Sequence, residues 1–228
     1  MVGSGPRGIA VNALGTRVYV ADSFGGAVSI IDTTDEQVST VVTGGVPFGI
    51  IDNPADTLVY VTDSGDNAVL VIDTSTHGIT PVTVGNGPVG VAMNGDGTLL
   101  YVANSGSDSV SVIDTNSLGV SSVTVDALPL GVAVNPVSGQ VYVSNYAGDS
   151  VSIITPPGNQ VTPVPVANNP YGIAVDPTGS RVYVASANGN TVSIIDTASS
   201  QVVATVGVGT SPIAFGAFIG PIPSEGDL

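Results

Sequence analysis

The sequence contains no cysteine and no tryptophan, lysine is missing as well, and there is a single histidine. Without cysteine the chain forms neither a disulfide nor a thiolate metal site, although this does not decide in which compartment it works. His-ligated haem, copper and zinc centres are also excluded, because they need two or more imidazole or thiolate ligands. Carboxylates are therefore the one abundant reactive group in the chain.

Positive charge is equally scarce, because three arginines stand against 18 acidic residues and the formal net charge is -15. Affinity for nucleic acid rests on lysine and arginine displacing phosphate counterions, so this charge argues against a nucleic-acid partner. The same charge disfavours docking on an anionic membrane surface. No apolar run approaches the ~18 residues of a membrane helix, so we expect no membrane insertion.

The residues that are abundant, namely glycine, proline and β-branched side chains, are arranged in a repeat. Leu100-Tyr101-Val102-Ala103-Asn104 is one of five copies of the same segment, and a constant step of 41 residues separates the copies. A fixed period of this size indicates units that bury their apolar surface against their neighbours. The repeated tyrosines are Tyr19, Tyr60, Tyr101, Tyr142 and Tyr183.

Each repeat contains four short β-branched segments bounded by turn residues, and this pattern predicts four strands. In the first repeat the segments cover residues 8–12, 18–22, 27–32 and 37–42. The first three place small or apolar side chains on both faces, as in a sheet that is covered on both sides. Four-stranded antiparallel sheets at this period predict an all-β fold, a β-propeller with five repeats of 41 residues. A linear solenoid is the alternative, but its polar end repeats are missing.

The repeated motifs resemble those of the YVTN-type β-propeller repeat family, which is found in archaeal and bacterial surface-layer proteins. The motifs are Pro-x-Gly-(Ile/Val)-Ala-Val-(Asn/Asp)-Pro-x-Gly, Val-Tyr-Val-(Ala/Thr/Ser)-(Asn/Asp) and Val-Ser-(Ile/Val)-Ile-Asp-Thr, and they extend over roughly residues 5–220. The fourth repeat departs from the pattern at Thr155, which replaces a turn aspartate. The resemblance implies a propeller, usually of about seven blades, with a structural, adhesive or unassigned role.

The predicted domain boundaries place one propeller domain at residues 5–220, an N-terminal leader at 1–4 and a flexible tail at 221–228. Residues 212–219 look like a sixth copy of the first strand, which closes the ring in the family that the chain resembles. Because the N-terminus already carries that strand, the favoured arrangement is five closed blades with 212–219 added or exchanged, as a monomer or a strand-exchanged dimer. The alternative is an open fragment of a six- or seven-bladed propeller with two exposed apolar faces.

Several loops between second and third strands carry aspartate or asparagine. Asp63, Asp66 and Asn67 offer the hard oxygen ligands that Ca2+ accepts, and they are weak candidates for a calcium site. They lack the spacing and the bidentate glutamate of a dedicated calcium loop, so hydrogen bonds to loop amides are the favoured interpretation. We expect His77 to be an exposed loop side chain, and we predict no catalytic residue and no other cofactor.

One variable position, between the repeated proline and glycine, lies at the start of every first strand. In a ring these positions converge at one mouth of the central channel, and variable side chains on a repeated scaffold favour a binding site. A plug of packed side chains that closes the channel is the conservative interpretation. Phe24 and Tyr146, at loop tips on the same side, extend the candidate patch. The five mouth residues are Arg7, Phe48, Val89, Leu130 and Tyr171.

These observations predict a non-enzymatic interaction or scaffold module that is extracellular or on the cell surface. It would bind a protein or carbohydrate partner through the loop face around the channel. The support is the surface-layer resemblance, the scarcity of catalytic residues and an acidic surface. The alternative is an enzyme of the lactonase or lyase type, which would need an acid/base or metal set at the mouth. The five mouth candidates supply one arginine and no carboxylate.

Overall fold

The computed structural model describes residues 1–214 of the chain. These residues form five sheets of four antiparallel strands, and no helix occurs among them. The prediction of an all-β chain with five four-stranded units is therefore confirmed. Each sheet is called a blade below, and blades are numbered in chain order.

The strands follow one another in the same order in every blade, and the first strand is always innermost. Blade one is β1 (Pro6–Val11), β2 (Arg17–Asp22), β3 (Ala27–Asp32) and β4 (Val38–Val42). Blade two is β5 (Pro47–Asp52), β6 (Leu58–Asp63), β7 (Ala68–Asp73) and β8 (Ile79–Thr83). Blade three is β9 (Pro88–Met93), β10 (Leu99–Asn104), β11 (Ser109–Asp114) and β12 (Val120–Thr124). Blade four is β13 (Pro129–Val134), β14 (Val141–Asn145), β15 (Ser150–Thr155) and β16 (Gln160–Pro165). Blade five is β17 (Pro170–Val175), β18 (Arg181–Ser186), β19 (Thr191–Asp196) and β20 (Gln201–Gly207).

The turn between the first two strands of a blade is built by the asparagine or aspartate that ends the repeated Gly-x-Ala-Val segment. In blade two, Asn53 Oδ1 accepts the backbone amides of Thr57 (2.9 Å) and Leu58 (3.0 Å). Asp56, in the same turn, has a φ of 52°, a conformation that aspartate tolerates better than most side chains. The short polar residues between the strands therefore fix each hairpin locally.

The innermost strands lie side by side around a central channel. β1 contacts β5, β5 contacts β9, β9 contacts β13, and β13 contacts β17. The approach is so close that a Cβ atom on Gly131 would lie 2.7 Å from the carbonyl oxygen of Tyr171 in the next inner strand. Glycine is therefore required at this position, because any side chain would meet backbone there.

The repeated tyrosine carries the packing between blades. Tyr101 is 2% exposed and packs with Val141, Val143 and Ile154 of the next blade. Tyr60 makes the same contact with Leu100, Val102 and Ile113. Because each blade has apolar side chains on both faces, four interfaces of this kind are stacked through the chain, and the core lies between the sheets.

Between blades five and one the packing is different. Tyr183 is only half-buried, and Val206, on the same face of blade five, is 49% exposed. On the facing side of blade one, Ile9 and Val11 are 57% and 53% exposed. In the part of the chain that the structure describes, these two faces lack the cover found at the other four interfaces.

Residues 208–214 enter a sixth repeat in the same way as earlier repeats begin. Ser211 donates its backbone amide to Asn190 Oδ1 (2.8 Å), as Gly87 does to Asn67 Oδ1 (2.8 Å). A Cβ atom on Gly172 would lie 2.6 Å from the carbonyl oxygen of Ala214, so Ala214 lies beside β17. The remainder of the predicted closing strand, residues 215–219, lies outside the described residues, as do 220–228.

Candidate binding face and central channel

The five predicted mouth residues all occupy the second position of an innermost strand, at the same end of the channel. They differ in exposure. Val89 and Leu130 are 7% and 9% exposed, whereas Phe48 and Tyr171 are half-buried and Arg7 is exposed. The two aliphatic side chains therefore pack into the protein, and the three others form the accessible part of the mouth.

Arg7 connects two of the predicted aromatic residues. Its guanidinium carbon lies 4.9 Å from the ring centroid of Phe48 and 5.9 Å from that of Phe24. Both distances are within the range of a cation–π interaction. Phe24 is 75% exposed and lies on the loop between β2 and β3. Its backbone amide donates to the carbonyl of Ser4 (3.1 Å), so residues before β1 help to hold this loop against the mouth.

Tyr146 and Tyr171 form a second pair at the mouth. Their ring centroids are 6.0 Å apart and the rings meet edge to face at 85°. Burial raises the pKa of Tyr171, the positive charge of Arg7 opposes that rise, and Tyr146 adds to it. Arg7 contacts Phe24 and Phe48, and its charge also acts on Tyr171, so the two predicted loop-tip residues and three of the mouth residues form one group. We call Arg7, Phe24, Phe48, Tyr146 and Tyr171 the aromatic mouth.

The calcium candidates occupy a loop that is held by hydrogen bonds to the backbone. Asp63 is fully buried, and its Oδ1 atom accepts the amides of Val46 (2.8 Å), Gly65 (3.0 Å) and Asp66 (3.3 Å). Asn67 Oδ1 accepts the amide of Gly87 (2.8 Å). Within residues 1–214 no three His, Cys, Asp or Glu side chains are grouped closely enough to hold a metal ion. The calcium site stays a weak prediction, since Asp63 Oδ1 and Asn67 Oδ1 already accept loop amides, although Asp63 Oδ2 is buried without a hydrogen-bond partner among the described residues.

The predicted exposure of His77 agrees with the structure. His77 lies in the turn between β7 and β8, is exposed, and donates its backbone amide to the Asp73 carbonyl (2.9 Å). This turn joins a third strand to a fourth, at the rim opposite the aromatic mouth. Its side chain therefore lies far from every predicted mouth residue.

Asp52 is a residue of the channel that the sequence reasoning missed. It is the last residue of β5 and lines a cavity of about 550 Å³ that runs between the inner strands. Burial raises the pKa of this carboxyl group, and the nearby charge of Asp56 raises it further. A comparison of the repeats could have found it, because the equivalent positions hold only apolar residues. Those positions are Val11, Met93, Val134 and Val175.

Solved structures with a similar fold identify the fold class of this chain. A streptogramin B lyase structure is similar to this fold, with a TM-score of 0.81 at 15% identity, over 92% of this chain and 71% of that chain. A chain of a nidogen/laminin complex matches with a TM-score of 0.73 at 16% identity, over 90% of this chain and 81% of that chain. This protein is a β-propeller. Its fold is also similar to a hydrazine synthase chain from Kuenenia stuttgartiensis, with a TM-score of 0.63 at 19% identity over 93% and 89% of the two chains.

At these identities the likeness shows the fold alone, and the propellers compared include a lyase and a chain of a protein–protein complex. No family model matches the sequence. No curated protein matches it either. The resemblance to YVTN repeats therefore stays a prediction. Among residues 1–214 the propeller has no helix of the length and hydrophobicity needed to cross a membrane.

Proposed function

We propose that this propeller is a non-enzymatic interaction module, extracellular or on the cell surface, that binds a protein or glycan partner through the aromatic mouth. The observation that carries the proposal is the grouping of one arginine with four aromatic side chains around the channel entrance. Arginine and tyrosine are enriched among the residues that dominate binding energy in protein interfaces.

Charge and composition support the same proposal. The net charge of -15 without any lysine suits a soluble module that works outside the cell, and it would steer a basic partner toward the propeller. Arg7 is a local exception at the mouth, where it stacks on aromatic rings. A similar fold occurs in a nidogen/laminin complex, so a protein partner is compatible with this architecture.

The test is a binding screen against laminin and a panel of immobilised glycans, with matched variants of two opposite rims. We expect Phe24→Ala, and the double variant Phe48→Ala/Tyr171→Ala, to weaken binding by about tenfold or more, as loss of hot-spot residues does. The melting temperature of Phe24→Ala should change by only a few degrees, since Phe24 is 75% exposed.

The control removes apolar side chains from the far rim. Leu14 and Val137 are 80% and 74% exposed on loops at the other end of the channel. Leu14→Ala/Val137→Ala should leave binding unchanged. Equal losses in both sets, or no binding by any panel member, would count against the aromatic mouth as the binding face. Lactonase or lyase activity is the alternative hypothesis, and hydrolysis or elimination of a lactone substrate by the purified protein would favour it.

A further inference from the structure

The central channel is an apolar cavity with one acidic side chain in its wall. Its volume is about 550 Å³, and residues of all five inner strands together with Ala214 line it. Pockets of ~300–1,000 Å³ with an apolar wall and few polar groups are the usual form of small-molecule sites. Most of the wall here is glycine, alanine, valine and isoleucine, and Asp52 is the only charged residue among the described residues that line it.

Asp52 stands where the repeat otherwise places an apolar side chain. It ends β5, and the residues that end the other inner strands are Val11, Met93, Val134 and Val175. Met93 packs in the apolar core between blades two and three. A carboxylate at the corresponding place is costly unless it has a compensating partner.

The described part of the chain does not supply a cation for this carboxylate. Within residues 1–214 the one ion pair joins Arg181 to Asp196 (2.9 Å). The charge that acts on the pKa of Asp52 is that of another carboxylate, Asp56, whose oxygens accept Asn12 Nδ2 (2.8 Å) and the Tyr19 hydroxyl (3.2 Å). Burial and the charge of Asp56 raise the pKa of Asp52 although a backbone hydrogen bond opposes them, which agrees with a carboxylate that lacks a compensating cation.

The dimensions of the channel limit what could provide that compensation. Arg7 lies at the opposite end of its strand from Val11, and strands rise by ~3.3 Å per residue, so the two ends of the channel are about 13 Å apart. A positive group beside Asp52 would therefore lie well away from Arg7. Among the described lining residues, the wall between the two ends is made of apolar side chains and glycine.

We propose that the channel binds a small organic cation, with an ammonium group beside Asp52 and an unbranched apolar chain along the wall. The ammonium group would compensate the partly buried carboxylate, and the chain would displace water from an apolar surface. Phe48 of the aromatic mouth also lines this cavity, but Asp52 lies at the opposite end of the channel, and its ligand does not depend on the partner proposed above.

The test uses hexylammonium as the probe, with 1-hexanol and hexanoate as neutral and anionic matches of the same chain length. Isothermal titration calorimetry near neutral pH should show binding of hexylammonium and at least about tenfold weaker binding of both other compounds. Asp52→Val restores the apolar residue that other blades carry, so this variant should fold. It should lose the preference for the cation, and Asp52→Asn should do the same.

Two further variants separate this site from its surroundings. Asp35→Asn removes the same charge from an exposed turn and should leave hexylammonium binding unchanged. Phe24→Ala, which affects the aromatic mouth but not the channel wall, should also leave it unchanged. No binding of hexylammonium, equal binding of hexanol, or unaltered binding in Asp52→Val would each overturn the proposal.

Discussion

At the residue scale, the aspartates that end the third strands build the turns that follow. Asp73 Oδ1 accepts the Ser75 hydroxyl (2.6 Å) and the amides of Ser75 (2.9 Å) and Thr76 (2.7 Å). These hydrogen bonds favour the ionised carboxylate and lower the pKa of Asp73 below its ordinary value of 3.8. The pKa values of Asp32, Asp114 and Asp196, in the same turn of other blades, are lowered for the same reason.

This shift predicts how stability depends on pH. Because the folded pKa of Asp73 lies below 3.8, its contribution is present above that pH and is lost as the pH falls through the folded pKa. We expect Asp73→Asn to be less stable than the parent near neutral pH and the gap to narrow on acidification. Urea denaturation between about pH 6 and about pH 2 measures the free energy of unfolding of both proteins. A gap that stays constant over this range would contradict the role of the ionised form.

At the element scale, the glycines of the inner strands allow neighbouring blades to approach. A Cβ atom on Gly131 would lie 2.7 Å from the Tyr171 carbonyl oxygen and 2.9 Å from Ser144 Oγ. Gly131→Ala should therefore lower the free energy of unfolding by about 1–3 kcal/mol, the usual cost of overpacking. A Cβ atom on Gly95 would meet no described residue within 4 Å apart from its chain neighbours, so Gly95→Ala is the control.

The two glycine variants are compared by chemical denaturation. Gly95→Ala should leave stability unchanged or raise it slightly, because alanine restricts the unfolded chain. If both substitutions had the same small effect, the inner strands would not be in the close contact that the structure shows.

The strands and the blade core were predictable from the sequence, because the period of 41 residues puts the same side chains in the same environment each time. Tyr101 in the core follows from that repetition alone. The side chains that line the channel and its mouth could not be predicted in the same way, because they differ from one repeat to the next. Val89 and Leu130 are buried although a binding mouth needs exposed side chains, and Asp52 stands out only beside its apolar equivalents. The contact of Arg7 with Phe24 joins strand β1 to the loop between β2 and β3, and no repeat pattern specifies it.

At the scale of the whole molecule, the propeller has two unlike ends. The repeated tyrosine of each of blades one to four packs against the next blade. Within residues 1–214 no tyrosine packs in this way against the side of blade one that faces blade five. The apolar residues left exposed there include Ile9 and Val11, while Val206 is exposed on blade five. Contiguous exposed apolar surface of this kind favours association. Ala214 lies beside β17, so the described chain begins a further inner strand there but does not cover the face.

If the tyrosine face of blade five is uncovered in solution, identical substitutions at the repeated tyrosine should have unequal effects on stability. Tyr101 is 2% exposed between two blades, so Tyr101→Ala should cost about 3–5 kcal/mol through the cavity that it leaves. Tyr183 has the same place in blade five but is half-buried on the uncovered face, so Tyr183→Ala should cost less than half as much.

The comparison of the two tyrosine variants requires monomeric protein, since association of two chains through the uncovered face of blade five would also bury Tyr183. Denaturation is therefore measured at a dilution where light scattering gives the mass of one chain. Equal losses for Tyr101→Ala and Tyr183→Ala under those conditions would mean that blade five is covered in solution. Within a monomer that cover could come from blade one, which would close the five blades into a ring, or from the chain beyond Ala214.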